Sequence, residues 1–301
     1  MAEHMAKVGE LEICYEAFGS PDDPALLLVM GLGTQMIGWP DAFCAALADR
    51  GLHVIRYDNR DVGRSTHLRQ HRPPTIKQLL LRDRSAAVYS LADMADDGIG
   101  LLDQLGTRSA HVAGASMGGM VAQTMAARHP DRVLSLASIM SNTGHRWKGT
   151  PGLRVYPMFM RRPADNREGV VESTVSTFRM IGSPGFPFDE EELRRMAQLA
   201  YERGYNPAGT ARQLAAILAA GDRTPELRGI AAPTVVIHGT RDRMVRPSGG
   251  RETARAIRGS RLVEIDGMGH DLPSGVWERI IDAVVSNIER ADASSRSAAA
   301  A

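Results

Sequence analysis

Cysteine is nearly absent from this 301-residue chain: only Cys14 and Cys44 occur, in different predicted elements and without metal-ligand spacing. No disulfide framework follows, and the pair reads as plain buried thiols of a reducing compartment. Charge of one sign is not in excess either. The 36 lysines and arginines balance 35 acidic residues to +1, so no nucleic-acid partner and no charge-driven disorder is expected. Long apolar runs are missing: 25–30, like every other run, is too short to cross a bilayer. No basic segment leads into an apolar one near the N-terminus, so the expectation is a cytoplasmic protein without a signal peptide. Gly31-Leu32-Gly33 lacks the third glycine of a dinucleotide fingerprint, and 114–119 lacks the lysine of a phosphate loop. No Cys/His/carboxylate cluster has metal spacing, so no metal is expected. Internal repeats are absent too. What is left is a chain with 43% hydrophobic residues, long enough for one large core or for a core with an inserted subdomain.

The most informative stretch is Ala110-His111-Val112-Ala113-Gly114-Ala115-Ser116-Met117-Gly118-Gly119. An apolar run enters Gly-x-Ser-x-Gly, and Met120, Val121, Thr124 and Met125 then repeat as one buried helix face. Strand, sharp turn and helix together give the motif its meaning. The turn strains the serine backbone, small residues on either side let strand and helix pass closely, and the hydroxyl is held out at the sheet edge. The competing reading of Ser116 is a plain N-cap of the helix.

Around it the pattern alternates. Residues 11–18 read as an edge strand and 25–30, apolar on both faces, as a central one ending in Gly31-Leu32-Gly33. A helix over 41–50 precedes a strand at 54–58 and the turn Asn59-Arg60-Asp61-Val62-Gly63-Arg64-Ser65. Ser90 and Asp93 form a capping box ahead of a long amphipathic helix, and 133–140 reads as a further strand. From 144 to 222 the rhythm breaks, with prolines at 151, 157, 163, 184 and 187 and helical patterning only at 190–201 and 208–218. Strand, helix, strand, helix then resume at 233–238, 248–257, 262–265 and 275–288. The polar tail, 291–301, is expected to be disordered. This is an α/β pattern: a mostly parallel open sheet, core residues 11–143 and 223–290, interrupted by an insertion over 144–222.

A serine hydroxyl needs a base, and the base needs an acid. Of nine histidines, His53 and His111 lie in strands and His129 reads as a helix end. His270, in Gly267-Met268-Gly269-His270, sits in a loop after the last strand, at the edge where Ser116 belongs. Asp242 follows the preceding strand through His238-Gly239-Thr240-Arg241, whereas Ser141-Asn142-Thr143 offers no carboxylate. Its competing reading is an Asx turn, or a surface partner for Arg241 or Arg243. Asp271 points away from its neighbour His270 in any regular loop. An acyl-transfer oxyanion needs two backbone donors. Met117 N–H is one by its position, and Leu32 N–H is the expected other, unless the glycine loop is an ordinary turn.

The chain resembles an α/β-hydrolase over about 11–288. The segments Tyr57-Asp58-Asn59-Arg60-Asp61-Val62-Gly63-Arg64-Ser65 and Gly267-Met268-Gly269-His270-Asp271-Leu272-Pro273 are similar to actinobacterial esterases of the aclacinomycin methylesterase type. The resemblance implies an eight-stranded, mostly parallel sheet, a helical cap at 144–222, no cofactor, and the roles of nucleophile, acid and base for Ser116, Asp242 and His270. Met30-Gly31 departs from the His-Gly that many relatives carry. Ser116 excludes the branches with an aspartate nucleophile.

Hydrolysis of a carboxylic ester through an acyl-enzyme is the first expectation, with lipid and thioester substrates within range. A lactonase or C–C hydrolase is the alternative, the latter using Arg161 and Arg162 for a dianion; a ligand-binding protein on the same scaffold is the third. In the insertion, His145, Arg146, Trp147, Lys148, Arg154, Arg161, Arg162 and Arg167 face only Asp165 and Glu168, interleaved with Val155, Tyr156, Met158, Phe159 and Met160. Either the apolar residues pack the cap onto the sheet beneath solvated arginines, or they line an acyl pocket while the arginines meet an anionic membrane surface.

Overall fold

The computed structural model describes residues 2–159 and 162–299. Its strands are β1 (His4–Val8), β2 (Leu11–Phe18), β3 (Ala25–Val29), β4 (His53–Tyr57), β5 (Ala110–Ala115), β6 (Val133–Ile139), β7 (Thr234–Gly239) and β8 (Arg261–Ile265). They form one eight-stranded sheet in the order β1-β2-β4-β3-β5-β6-β7-β8. The β1–β2 and β2–β4 pairs are antiparallel and every later pair is parallel. The first strand was not expected from its short sequence His-Met-Ala-Lys-Val.

The helices are α1 (Asp41–Ala48), α2 (Ile76–Leu80), α3 (Leu91–Gln104), α4 (Met117–Arg128), α5 (Tyr156–Phe159), α6 (Arg167–Ile181), α7 (Glu190–Gly204), α8 (Pro207–Ala220), α9 (Thr224–Leu227), α10 (Ser248–Ala256) and α11 (Trp277–Ala299). Alternation along the strands sorts them into two layers. Leu27, Val29, Ile55, Tyr57 and Val112 pack with α3 and α4. Leu26, Leu28, Val54 and Ala113 point the other way, onto Phe43 and Leu47 of α1 and Ile280, Ile281 and Val284 of α11. A sheet covered on both faces requires the apolar runs seen in β3 and β5. The capping box ahead of α3 is formed, with Ser90 Oγ accepting from Asp93 N–H and Asp93 accepting from Ser90 N–H.

Two expectations need correcting. Residues 291–301 are not a loose tail as far as they are described: α11 runs on to Ala299. Nothing from Trp277 onward breaks a helix, since the segment has neither glycine nor proline, and alanine is the best helix former. Within 144–222 a further helix, α6, escaped notice. Its Gly, Ser and Thr content dilutes the apolar stripe to Val171, Val175 and Ile181, while Asn166 caps it by accepting from Gly169 N–H at 2.8 Å.

Helices α5–α8 all lie between β6 and β7, and two buried ion pairs seat them on the sheet's edge. Arg203, at the end of α7, donates through Nη2 to Asp58 Oδ2 at 2.9 Å and through Nε to Glu3 Oε1 at 2.7 Å. Arg212 of α8 makes a fork on Asp61, Nε to Oδ2 at 2.8 Å and Nη2 to Oδ1 at 2.5 Å. Both aspartates come from the turn after β4, and their side chains are 0% exposed. Cys14 and Cys44 are free and buried, and burial pushes both thiols up to about 12, which leaves them protonated.

Candidate active site

The turn from β5 to α4 holds Ser116 at φ 56°, ψ −119°, a backbone region that a residue with a Cβ occupies only under strain. Neighbouring glycines make the turn sterically possible. A Cβ on Gly114 would stand 2.1 Å from the Gly118 carbonyl oxygen, and one on Gly118 would stand 2.0 Å from that of Val29. Ser116 N–H is tied to Ile139 C=O at 2.9 Å. The hydroxyl does not cap α4. It bonds outward instead, to His270 Nε2 at 2.9 Å. The plain-cap reading of Ser116 therefore fails.

His270 Nδ1 lies 2.7 Å from Asp242 Oδ2. A carboxylate there can only accept, so Nδ1 carries the ring proton and Nε2 is left with its lone pair toward Ser116, a tautomer inferred from this network. Asp242 also closes the competing Asx turn: its Oδ1 accepts from Met244 N–H at 2.9 Å and Val245 N–H at 2.8 Å. The two readings coexist, because each oxygen serves one of them. With its side chain 0% exposed, Asp242 meets His270 out of water, where a charge-assisted bond is strong.

His238, read only as part of the link to Asp242, sits beside the carboxylate with Nε2 3.5 Å from Oδ2. That nitrogen donates to Val245 C=O at 2.7 Å, while the buried Nδ1 meets no partner among the described residues. Burial keeps its pKa below the ordinary histidine value, so it stays neutral and leaves the aspartate's charge for His270.

The His270 loop is clasped by the last residue of α6 and by the turn that follows it. His270 N–H donates to Ile181 C=O at 2.8 Å, and Gly269 N–H donates to Ser183 Oγ at 2.8 Å. Asp271 turns away from the ring, as expected, and its Oδ1 accepts from Ser183 Oγ–H. Burial raises the Asp271 pKa.

On the other side of Ser116 lies the Gly31-Leu32-Gly33 loop. A Cβ on Gly31 would come within 3.2 Å of Ser116 Cβ, so the loop abuts the Ser116 turn. Thr34 N–H closes a turn on Gly31 C=O at 3.1 Å, and Gly33 has φ +64°. Gly33 N–H is taken by Gln213 Oε1 of α8 at 2.8 Å. Among the described residues, neither Leu32 N–H nor Met117 N–H meets an acceptor. Asn59 supports the loop from behind by donating to Met30 C=O at 3.0 Å. Arg161, one of the two arginines expected to hold a dianion, lies outside the described residues; Arg162 is exposed. Among the described residues no three His, Cys, Asp or Glu are grouped as for a metal ion.

A family profile described as alpha/beta hydrolase fold matches residues 24–273. The chain belongs to this family. Rhodomycin D methylesterase from Streptomyces sp. strain C5 is 31% identical, over 97% of this chain and 99% of its own length. The enzyme of the same name from Streptomyces peucetius is 30% identical over the same shares. Among solved structures, the enol-lactonase from Burkholderia xenovorans LB400 is 27% identical, covers 98% of both chains and has a TM-score of 0.67. The α/β-hydrolase fold is thus shared with a solved enol-lactonase, and the likeness to the two methylesterases runs over nearly the whole chain.

Proposed function

We propose that this chain hydrolyses carboxylic esters, with Ser116 as nucleophile, His270 as base, Asp242 as acid, and Leu32 and Met117 N–H as oxyanion donors. The observation that carries the reading is the continuous Ser116–His270–Asp242 chain, at 2.9 and 2.7 Å, ending on a strained serine. As Oγ attacks the ester carbonyl, its proton passes to His270 Nε2, and the carbonyl electrons collect on the oxygen facing the two amides. Collapse expels the alkoxide, which takes the proton from His270. Water then attacks the acyl-enzyme, gives its proton to the same nitrogen, and releases the acid as Oγ recovers it.

The two methylesterases support a small alcohol, such as methanol, as leaving group. In this reading 144–222 is a cap that contacts the acyl part of the substrate. The Burkholderia lactonase keeps a ring ester in view, since the acyl chemistry is the same. A panel of methyl esters, longer alkyl esters, a lactone and a thioester distinguishes these, and steady turnover of any of them removes the ligand-binding alternative. Treatment with a fluorophosphonate should add one adduct, and Ser116→Ala should lose the adduct and lower kcat about 10⁴-fold or more. An unmodified mass would sink the proposal.

The free, protonated thiols are in keeping with a cytoplasmic site of action. For contact with an anionic membrane, support comes from Trp147 and Leu153, which are 70% and 83% exposed and have exposed Arg146 and Arg154 as sequence neighbours. Arg161, also invoked for it, and Met160, named for the acyl pocket, lie outside the described residues. Vesicles of anionic lipid should then retain the protein at low salt and release it at high salt; no retention at low salt would leave only packing and solvation for these residues.

A further inference from the structure

We infer that Gln213 of the cap is a positioning residue that holds the oxyanion loop in its working geometry, an inference that rests on the ester-hydrolase reading above. Gln213 is 0% exposed, and its carboxamide bridges two separate core segments. Oε1 accepts from Gly33 N–H at 2.8 Å, and Nε2 donates to Arg60 C=O at 2.8 Å. Only one orientation of the amide satisfies both, because the flipped one would set donor against donor and acceptor against acceptor. A buried amide with both ends matched is a rigid strut. Its own position is fixed by its neighbour Arg212, whose fork on Asp61 anchors α8.

The strut acts on the one loop where orientation matters. Gly31-Leu32-Gly33-Thr34 offers its amides in sequence: Thr34 N–H is spent on Gly31 C=O, Gly33 N–H on Gln213, and Leu32 N–H is left over. The peptide between Gly31 and Leu32 is planar and trans, so fixing the Gly31 carbonyl on Thr34 sends Leu32 N–H out of the opposite edge. Gly33, at φ +64°, is free to reach other conformations, and Gln213 is what removes that freedom at its N–H. Thr210, one turn earlier on α8, closes the remaining space, since a Cβ on Gly33 would meet its Oγ1 at 2.7 Å. Without the strut the turn can rotate, and Leu32 N–H leaves the position where the oxyanion forms.

Removal of an oxyanion donor costs roughly 10²–10³ in kcat, and a displaced donor costs less. Gln213→Met, similar in volume, and Gln213→Asn, one methylene short of Gly33, should therefore lower kcat about 10- to 100-fold with KM changed less than about threefold. The distinguishing readout is a trifluoromethyl ketone, to which Ser116 Oγ adds while its proton moves to His270 and the carbonyl electrons become an oxyanion. Its affinity should weaken by the same factor as kcat, per folded enzyme counted by circular dichroism. If Gln213→Met does not fold, Gln213→Asn carries the test. Wild-type kcat and ketone affinity per folded molecule in the variant that folds would overturn the inference. Turnover surviving in Ser116→Ala would instead overturn the reading beneath it, and the two failures are separate.

Discussion

The rim of the sheet and the inner face of the cap meet at the same place but are built in opposite ways. At the rim, the groups proposed to react sit at the ends of β5, β7 and β8, each delivered by the strand just before it, so that backbone geometry alone brings Ser116, Asp242 and His270 together. On the cap, the groups that matter are long polar side chains reaching back across the seam: Arg203 to Asp58, Arg212 to Asp61, Gln213 to Gly33. The rim carries the groups proposed to react, and the cap supplies constraint. The cap's outer face differs again, since Arg194 meets Glu172 and Glu190 in water. The same residue type is thus a strut on one side of the cap and a solvated charge on the other.

The largest effect expected from breaking the rim is catalytic and leaves stability alone. Asp242→Asn keeps the shape, and its carbonyl oxygen can still close the Asx turn on Met244 and Val245. The amide can no longer fix the imidazole with Nδ1–H toward residue 242, so a drop of order 10⁴ in kcat is expected with a nearly unchanged unfolding midpoint. Loss of the fold along with the activity would mean that the Asx turn, and not the histidine contact, is what the aspartate is for.

Breaking the seam should do the reverse. Arg212→Met leaves Asp61 buried without its fork, and removal of one partner from a buried pair costs about 3–5 kcal/mol of stability. Exposure of the two side chains is 2% and 0%, so water does not rescue the aspartate. Arg194→Met on the outer face should leave the urea midpoint unmoved within error. Equal losses in the two variants would erase the distinction between the cap's faces.

What could be read in advance follows the same division. The strained turn at Ser116 was legible because all its determinants lie between Gly114 and Gly119, and the placement of Asp242 and His270 beside it because a loop after a late strand has only one edge to occupy. The seam was not legible. Gln213 and Gly33 are 180 residues apart, and nothing in the helical pattern around Gln213 marks it as different from a surface glutamine. Nothing in the pattern marks Arg203 or Arg212 either, yet they are 6% and 2% exposed. The polar strand β1 and the diluted helix α6 failed for a related reason: their stability comes from neighbours and not from their own periodicity. Ser183 belongs here too, as a turn residue whose hydroxyl is committed to Gly269 N–H and Asp271.

The smallest effect separates the two regions along the pH axis. Inside the sheet layer, His111 lies in β5 with Nδ1 2.8 Å from Ser135 Oγ and a buried Nε2 that meets no partner among the described residues. Burial lowers its pKa, as it does that of His238. In the unfolded chain such histidines take up a proton near pH 6.5, while in the folded protein they resist it, so the unfolded state binds more protons below that point. Stability from this source is complete above about pH 6.5 and declines as the pH falls beneath it. Asp61 behaves differently: burial acts to raise its pKa, but the Arg212 fork and Leu68 N–H outweigh this and leave it lowered. Its contribution persists until the pH falls below the unfolded carboxylate value of 3.8, where protonation begins to favour the unfolded chain. Urea midpoints between pH 8 and 5 should therefore fall on the acid side, and His111→Gln should flatten part of that slope. Asp61→Asn should lower the whole curve without changing its shape over the same range. A wild-type midpoint that is level from pH 7.5 to 5 would show that the buried imidazoles find a proton acceptor on folding, and that the sheet's interior is no more sensitive to acid than the seam.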